Sequence, residues 1–128
     1  NLNKGIEPYV KNTQCFICPS STHTWRYGPN GAWTPCGSYG WSLPATVNFT
    51  PLAQFTQVSQ TIILADSSSG GTWMGTYNGT VQYASNRHNE GSNVGYLDGH
   101  AKWVKYDQLI DSNAIANAWR GSGCPNGY

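Results

Sequence analysis

The stretch of sequence that decides the fold covers twelve residues and reads Asn93-Val94-Gly95-Tyr96-Leu97-Asp98-Gly99-His100-Ala101-Lys102-Trp103-Val104. Apolar and polar residues alternate on both sides of Asp98-Gly99, a dipeptide that favours a two-residue β-hairpin turn because such turns need positive φ. Closing the chain there pairs Leu97 with His100. One face of the hairpin is then wholly apolar and carries Val94, Tyr96, Ala101 and Trp103. A slip of one residue would exchange the two faces, so the pattern predicts this register.

Further segments extend the hairpin into a small sheet. Residues 61–65 are typical of a buried strand because a continuous apolar run, residues 62–65, follows Thr61, and residues 38–43 are predicted to form a shorter strand. Residues 107–119 carry an apolar stripe at helical spacing, made of Leu109, Ile110, Ala114, Ile115 and Ala118. We therefore expect an α+β fold in which a short C-terminal helix lies on or beside an antiparallel sheet. Its strands are predicted at 38–43, 61–65, 93–97 and 100–104.

The composition indicates a single loop-rich domain over residues 1–128. Charged residues make up 10% of the chain, well below the roughly 25% of ordinary soluble domains. The net charge is +1, and the seven Lys and Arg residues are scattered along the sequence. Nucleic acid is therefore excluded as a partner, because no basic patch could follow a phosphate backbone.

The four cysteines favour an oxidising compartment and two structural disulfides. They are Cys15, Cys18, Cys36 and Cys124. Cys15 and Cys18 lie in an extended segment and point apart, so each is expected to pair with Cys36 or Cys124. The favoured pairing is Cys18–Cys36 with Cys15–Cys124, which pins the long loops. A redox pair, or a zinc site that adds His23 to the two neighbouring cysteines, is the competing interpretation.

A longer motif contains the hairpin: His88, nine intervening residues, and then Asp98-Gly99. This spacing resembles the signature of the prepilin-type processing-associated H-x9-DG domain family, which comprises type IV pilin-like and type II secretion pseudopilin-like proteins. Three earlier segments resemble that family in the same order along the chain. They are residues 8–20, 38–40 and 60–66.

The resemblance implies a pilin-like head that belongs to a larger subunit. In that family the full form carries a leader and a long apolar N-terminal helix, which anchors the precursor in the membrane and later packs in a filament. No apolar run here approaches the roughly 20 residues of a membrane span, so the chain is expected to lack that helix. The resemblance thus implies an extracellular or cell-surface structural subunit that self-associates in a filament. Membrane contact would come only through the absent helix.

The motif residues have two possible roles, one chemical and one structural. His88 with Asp66 or Asp98 would suit acid–base or metal chemistry, but no nucleophile motif accompanies them. Secretion pseudopilins can hold calcium, yet the acidic residues here do not form an alternating loop. We therefore expect no enzyme activity, no catalytic residue, no cofactor and no metal. Asp98 and Gly99 are expected to form a turn, while His88 braces the open end of the hairpin.

The alternative function is a secreted carbohydrate-binding or adhesion module. Exposed aromatic rings are the usual platform for sugars, although they more often fill cores or contacts between proteins. The rings that would form the platform are Trp25, Tyr27, Trp33, Trp41, Trp73 and Tyr77.

Overall fold

The computed structural model describes residues 9–21, 38–42, 51–68, 73–77 and 80–111. Short 3-10 turns cover Thr13–Phe16 and Leu52–Gln54. The strands and the helix are β1 (Tyr39–Ser42), β2 (Ile62–Asp66), β3 (Trp73–Tyr77), β4 (Thr80–Gln82), β5 (Gly91–Tyr96), β6 (Ala101–Lys105) and α1 (Tyr106–Leu109). None of the helices in these ranges is long and apolar enough to cross a membrane.

The strands form one sheet in the order β4-β3-β1-β2-β5-β6. The four strands β1, β2, β5 and β6 pair antiparallel, which confirms the predicted small antiparallel sheet and the α+β class. One pair departs from the prediction, because β1 and β3 are parallel. Strand β3 lies on the other side of β1 from β2. It is parallel to β1, which is itself antiparallel to β2.

The apolar core lies on one face of this sheet. Its buried residues come from β2, β5, α1 and the segment after β4, and they are Ile62, Ala65, Ala84, Val94 and Leu109. Half-buried side chains pack around them, namely Tyr96, Val104 and Tyr106. Burial of these side chains is the main favourable contribution to folding, since apolar burial contributes about 25 cal/mol per Å².

The hairpin formed by β5 and β6 exists as predicted, but its register is shifted by one residue. The Tyr96 N–H donates to the His100 carbonyl at 2.9 Å, and the Gly99 N–H donates to the Tyr96 carbonyl at 2.9 Å. Three residues therefore form the loop, and Gly99 adopts a φ of 93°. A three-residue loop of this kind ends on a glycine with positive φ. The predicted two-residue turn was wrong because only the second residue of Asp98-Gly99 has positive φ.

The shifted register changes which residues face the core. Val94 pairs with Lys102, whereas the prediction paired it with Trp103. Val104 consequently joins Val94 against the core, while Ala101 and Trp103 lie on the opposite face. The indole of Trp103 is 44% exposed. The predicted apolar face was thus wrong for the residues of β6, as expected when a loop gains one residue.

Polar contacts of the loop stabilise its closed end. The Asp98 carboxylate accepts a hydrogen bond from the His100 N–H at 3.1 Å and lies 2.6 Å from Nδ1 of the same residue. The backbone hydrogen bond, followed by the one from the side chain, holds the pKa of Asp98 below its usual value. The His100 ring also stacks on Tyr96, with ring centroids 4.3 Å apart.

The C-terminal helix is present from Tyr106, one residue before its predicted start. Leu109 of the predicted apolar stripe is only 1% exposed and belongs to the core, which supports the predicted packing against the sheet. The helix ends at Leu109, so the prediction is wrong at Ile110, which caps the helix and is 37% exposed. Residues 112–119 of the predicted helix lie outside the described part of the chain.

We predict that Gly99→Ala lowers the free energy of unfolding by about 1–2 kcal/mol, because an L-residue is strained at positive φ. Chemical denaturation would measure the change. Gly95→Ala is the matched control: its added Cβ would lie 3.4 Å from the nearest atom, an ordinary contact with Leu64. Equal losses in the two variants would contradict the assigned loop.

Candidate functional site

Three side chains from distant parts of the sequence converge on the face of the sheet opposite the core. They are Cys18, Asp66 and His88, whose potential ligand atoms all lie within 4.8 Å of one another. The Cys18 Sγ lies 3.3 Å from the His88 Nε2. The same nitrogen lies 3.4 Å from the Asp66 Oδ1. The sheet therefore assembles a thiol, a carboxylate and an imidazole around one point.

Cys18 is held by the segment before β1. Asn12 caps the 3-10 turn Thr13–Phe16, since its side chain accepts a hydrogen bond from the Gln14 N–H at 2.9 Å. Cys15 lies within this turn, so the prediction of an extended segment was wrong at Cys15, and the chain is extended only from Ile17. The Cys18 N–H donates to the hydroxyl oxygen of Ser38 at 2.7 Å. This contact between two buried residues places the thiol beside the end of β2.

Asp66 is the last residue of β2 and is completely buried. Its Oδ2 accepts a hydrogen bond from the Asn93 N–H on the neighbouring strand at 2.6 Å. Its backbone carbonyl accepts one from the Ser85 N–H at 2.9 Å. In contrast, Oδ1 has no hydrogen-bond partner. A buried carboxylate oxygen without a partner is unusual, because its desolvation is costly.

His88 is positioned by a tight turn at the start of β5. Its N–H and carbonyl exchange hydrogen bonds with Gly91, both at 3.1 Å. The two residues between them, Asn89 and Glu90, have φ values of 53° and 58°, the pattern of a type I′ turn. The Trp103 Nε1 also donates to the His88 carbonyl, at 2.7 Å. These contacts fix the backbone from which the imidazole projects.

The surroundings of the cluster are polar, and one side is open. The Arg87 guanidinium donates to the Ser67 carbonyl and, at 3.0 Å, to the Ser85 hydroxyl oxygen. Burial, followed by the negative charge of Asp66, raises the pKa of Tyr39. An open depression of about 550 Å³ is lined by Arg87, His88, Asn89 and Trp103. Solvent and small ions therefore reach the imidazole, whose side chain is 27% exposed.

The geometry does not form a proton relay of the nucleophile–histidine–carboxylate type. In such a relay the nucleophile and the carboxylate contact opposite ring nitrogens, so that the histidine passes a proton between them. Here both Cys18 and Asp66 approach the same nitrogen of His88. The arrangement is suited to three ligands that share one central ion.

The structure corrects the predicted disulfides. Cys15 and Cys18 are both free thiols, Cys15 on the surface and Cys18 buried. Neither forms the predicted bridge, and the sulfur of Cys18 faces His88. The predicted partners Cys36 and Cys124 lie outside the described residues, as does His23 of the competing zinc interpretation.

The motif residues occupy opposite ends of the hairpin. His88 lies at the open end, where Gly91 pairs with Lys105, and this agrees with its predicted place. Asp98 lies at the closed end and bonds to His100. The predicted brace, in which the two ring nitrogens of His88 tie loop backbone to the sheet, is wrong, because Nε2 faces Cys18 and Asp66. The contacts of His88 with the hairpin are made by its backbone instead.

The pairing of His88 with Asp66 was among the arrangements considered from the sequence, but Cys18 was not placed with them, because it lies 70 residues from His88. One signal was present in the sequence: Asp66 directly follows the apolar run of a buried strand. A carboxylate there is buried with its strand, and a buried carboxylate needs partners.

Comparisons of the chain with models of known protein families, with curated proteins and with solved structures find no match. The resemblance to the H-x9-DG family therefore rests on the short motifs given above. The candidate site rests on geometry alone.

We predict that Gly91→Ala disrupts the turn at His88. An added Cβ would lie 2.3 Å from the Trp103 indole, so the ring must move and release the His88 carbonyl. The free energy of unfolding should fall by about 1–2 kcal/mol in chemical denaturation. In a Trp103→Ala background the same change should cost clearly less. An identical cost in both backgrounds would show that the indole does not cover Gly91.

Proposed function

We propose that this chain is the globular head of a structural subunit of an extracellular filament, of the type IV pilus-like or pseudopilus class. It has no catalytic role in this proposal. The observation that carries it is the placement of the H-x9-DG motif, whose residues mark the two ends of a single β-hairpin.

The spacing of the motif corresponds to a structural unit. The tight turn at His88 leads into β5, and Asp98-Gly99 closes the loop after that strand. Nine intervening residues are the length needed for the rest of the turn, the strand and the first loop residue. A signature that specifies a hairpin supports a family defined by its fold more than by a reaction.

The sheet is of the kind that the resemblance implies. Its four antiparallel strands carry a core on one face, with a short helix after the last strand. Pilin-like heads are small antiparallel sheets that pack against a helix. Three of the family-like segments overlap β1, β2 and β5.

Exposed apolar side chains offer contacts for neighbouring subunits. Tyr9 is 86% exposed, and Val10 and Ile17 in the same N-terminal segment are also exposed. In the family that the chain resembles, the helix that packs in the filament core precedes the head. Apolar residues at this end would therefore be covered on assembly, as aromatic residues often are at protein interfaces.

The carbohydrate-binding alternative has less support. The aromatic side chains that would form its platform all belong to residues whose side chains lie outside the described part of the chain, namely Trp25, Tyr27, Trp33, Trp41, Trp73 and Tyr77. The alternative remains a prediction, and the experiment below separates it from the filament.

We predict that antibodies against this chain decorate fibres on the surface of the source cells at regular intervals in electron micrographs. Tyr9→Ser should reduce the yield of fibres severalfold. It should leave thermal stability nearly unchanged, because exposed substitutions usually shift stability by less than about 0.5 kcal/mol. Leu52→Ser is the control, since it changes another exposed apolar residue, 62% accessible, in a different segment.

Two outcomes would contradict the filament. One is an antibody signal dispersed over the surface or medium, with no fibres. The other is saturable binding of a polysaccharide by the purified chain together with unchanged fibres in cells that lack it. Either would favour the binding module.

A further inference from the structure

We propose that Cys18, Asp66 and His88 form a binding site for a transition-metal ion of the zinc type. The protein supplies three ligands, and the depression lined by His88 gives solvent access to one of them, so that water can supply a fourth ligand. This inference does not depend on the filament proposal, because it uses only the geometry of the cluster.

The distances fit a tetrahedral site. Zinc–ligand bonds of about 2.0–2.3 Å place two ligands of a tetrahedron about 3.3–3.8 Å apart. The separations of the His88 Nε2 from the Cys18 Sγ and the Asp66 Oδ1 are 3.3 and 3.4 Å. The remaining pair lies within 4.8 Å, so a small rotation of one side chain closes the site.

Hydrogen bonding alone does not satisfy the three groups. A ring nitrogen carries either one proton or one lone pair, so Nε2 can form one good hydrogen bond and not two. Two groups nevertheless approach it, and the fully buried Asp66 Oδ1 is left without a hydrogen bond. A cation at the centre would accept a lone pair from all three ligands at once.

The ligand types indicate which metal fits. Thiolate, imidazole and carboxylate together suit zinc and similar borderline ions, whereas calcium and magnesium require mainly oxygen ligands. Thiolate and carboxylate also supply two negative charges, which neutralise a divalent ion. The site thus differs in kind from the calcium loop considered for secretion pseudopilins.

Neighbouring groups hold two of the ligands in place. Asp66 is oriented by the hydrogen bond from the Asn93 N–H, and Cys18 is fixed through its own N–H to Ser38. Such outer contacts set the direction of ligand atoms and strengthen metal binding. A bound ion would clamp the segment of Cys18 to the end of β2 and to the turn of His88.

The test uses the purified 128-residue chain in the presence of a reductant. After incubation with zinc chloride and desalting, elemental analysis should find one zinc ion per chain. Replacement by cobalt(II) should give the thiolate-to-cobalt charge-transfer band and the intense visible bands of a tetrahedral site. Zinc should also raise the melting temperature, because it binds the folded state preferentially.

Variants identify the ligands. Cys18→Ser, Asp66→Asn and His88→Gln should each reduce the zinc content severalfold. Asp66→Asn retains an oxygen for the Asn93 N–H, so it can remain folded. Cys15→Ser is the matched control, because this exposed free thiol lies three positions away and outside the cluster. It should retain full metal content and the cobalt charge-transfer band.

The proposal is overturned if the wild-type chain retains no stoichiometric metal. It is also overturned if cobalt gives no thiolate band, or if Cys15→Ser loses as much metal as Cys18→Ser. The cobalt spectrum of the wild-type chain decides the matter even where a variant fails to fold. None of these results bears on fibre formation, so the two proposals fail separately.

Discussion

Asp66 joins several elements of this structure through its buried carboxylate and through its backbone. Its Oδ2 accepts a hydrogen bond from β5, its carbonyl accepts one from Ser85, and its backbone pairs with Tyr39 of β1. A buried charge without partners costs several kcal/mol, so these elements are stable only while docked around it. Burial of the apolar core on the opposite face of the sheet favours a compact chain without selecting particular contacts. The hydrogen bonds of Asp66 select which strand ends lie next to one another.

The sequence predicted the elements of the sheet better than their register. The apolar run of β2 and the alternation around Asp98-Gly99 were sufficient to place one strand and a hairpin. The length of the loop was not predictable, because Asp-Gly suits both a two-residue turn and a three-residue loop that ends on glycine. The turn with two positive φ values formed instead at Asn89-Glu90, where glutamate gives no such signal. The extra loop residue shifts the register by one, so Trp103, which was predicted to face the core, lies on the opposite face.

The candidate site was harder to predict because its three residues are far apart in the sequence and meet only in the folded chain. The composition suggested that the cysteines form disulfides with one another, since a sequence indicates the role of a cysteine only through its spacing and the expected redox compartment. The structure instead brings Cys18 to His88, 70 residues away, through Ser38 and the end of β2. His88 was recognised as part of a motif and placed at the open end of the hairpin, but its contacts with the hairpin are made by its backbone and not by its ring. Its ring could be assigned only after the turn and the neighbouring strand were known.

A disulfide and a metal ligand are mutually exclusive uses of Cys18, and the local structure favours the second. Its thiol is only 4% exposed and already faces an imidazole, whereas Cys15 is exposed to solvent. An oxidant therefore reaches Cys15 first, and bridging Cys18 would require pulling it away from Asp66 and His88. The same segment carries Tyr9 and Val10, the exposed residues assigned to filament contacts. A metal at Cys18 would thus fix the segment proposed for filament contacts to the strand ends around Asp66.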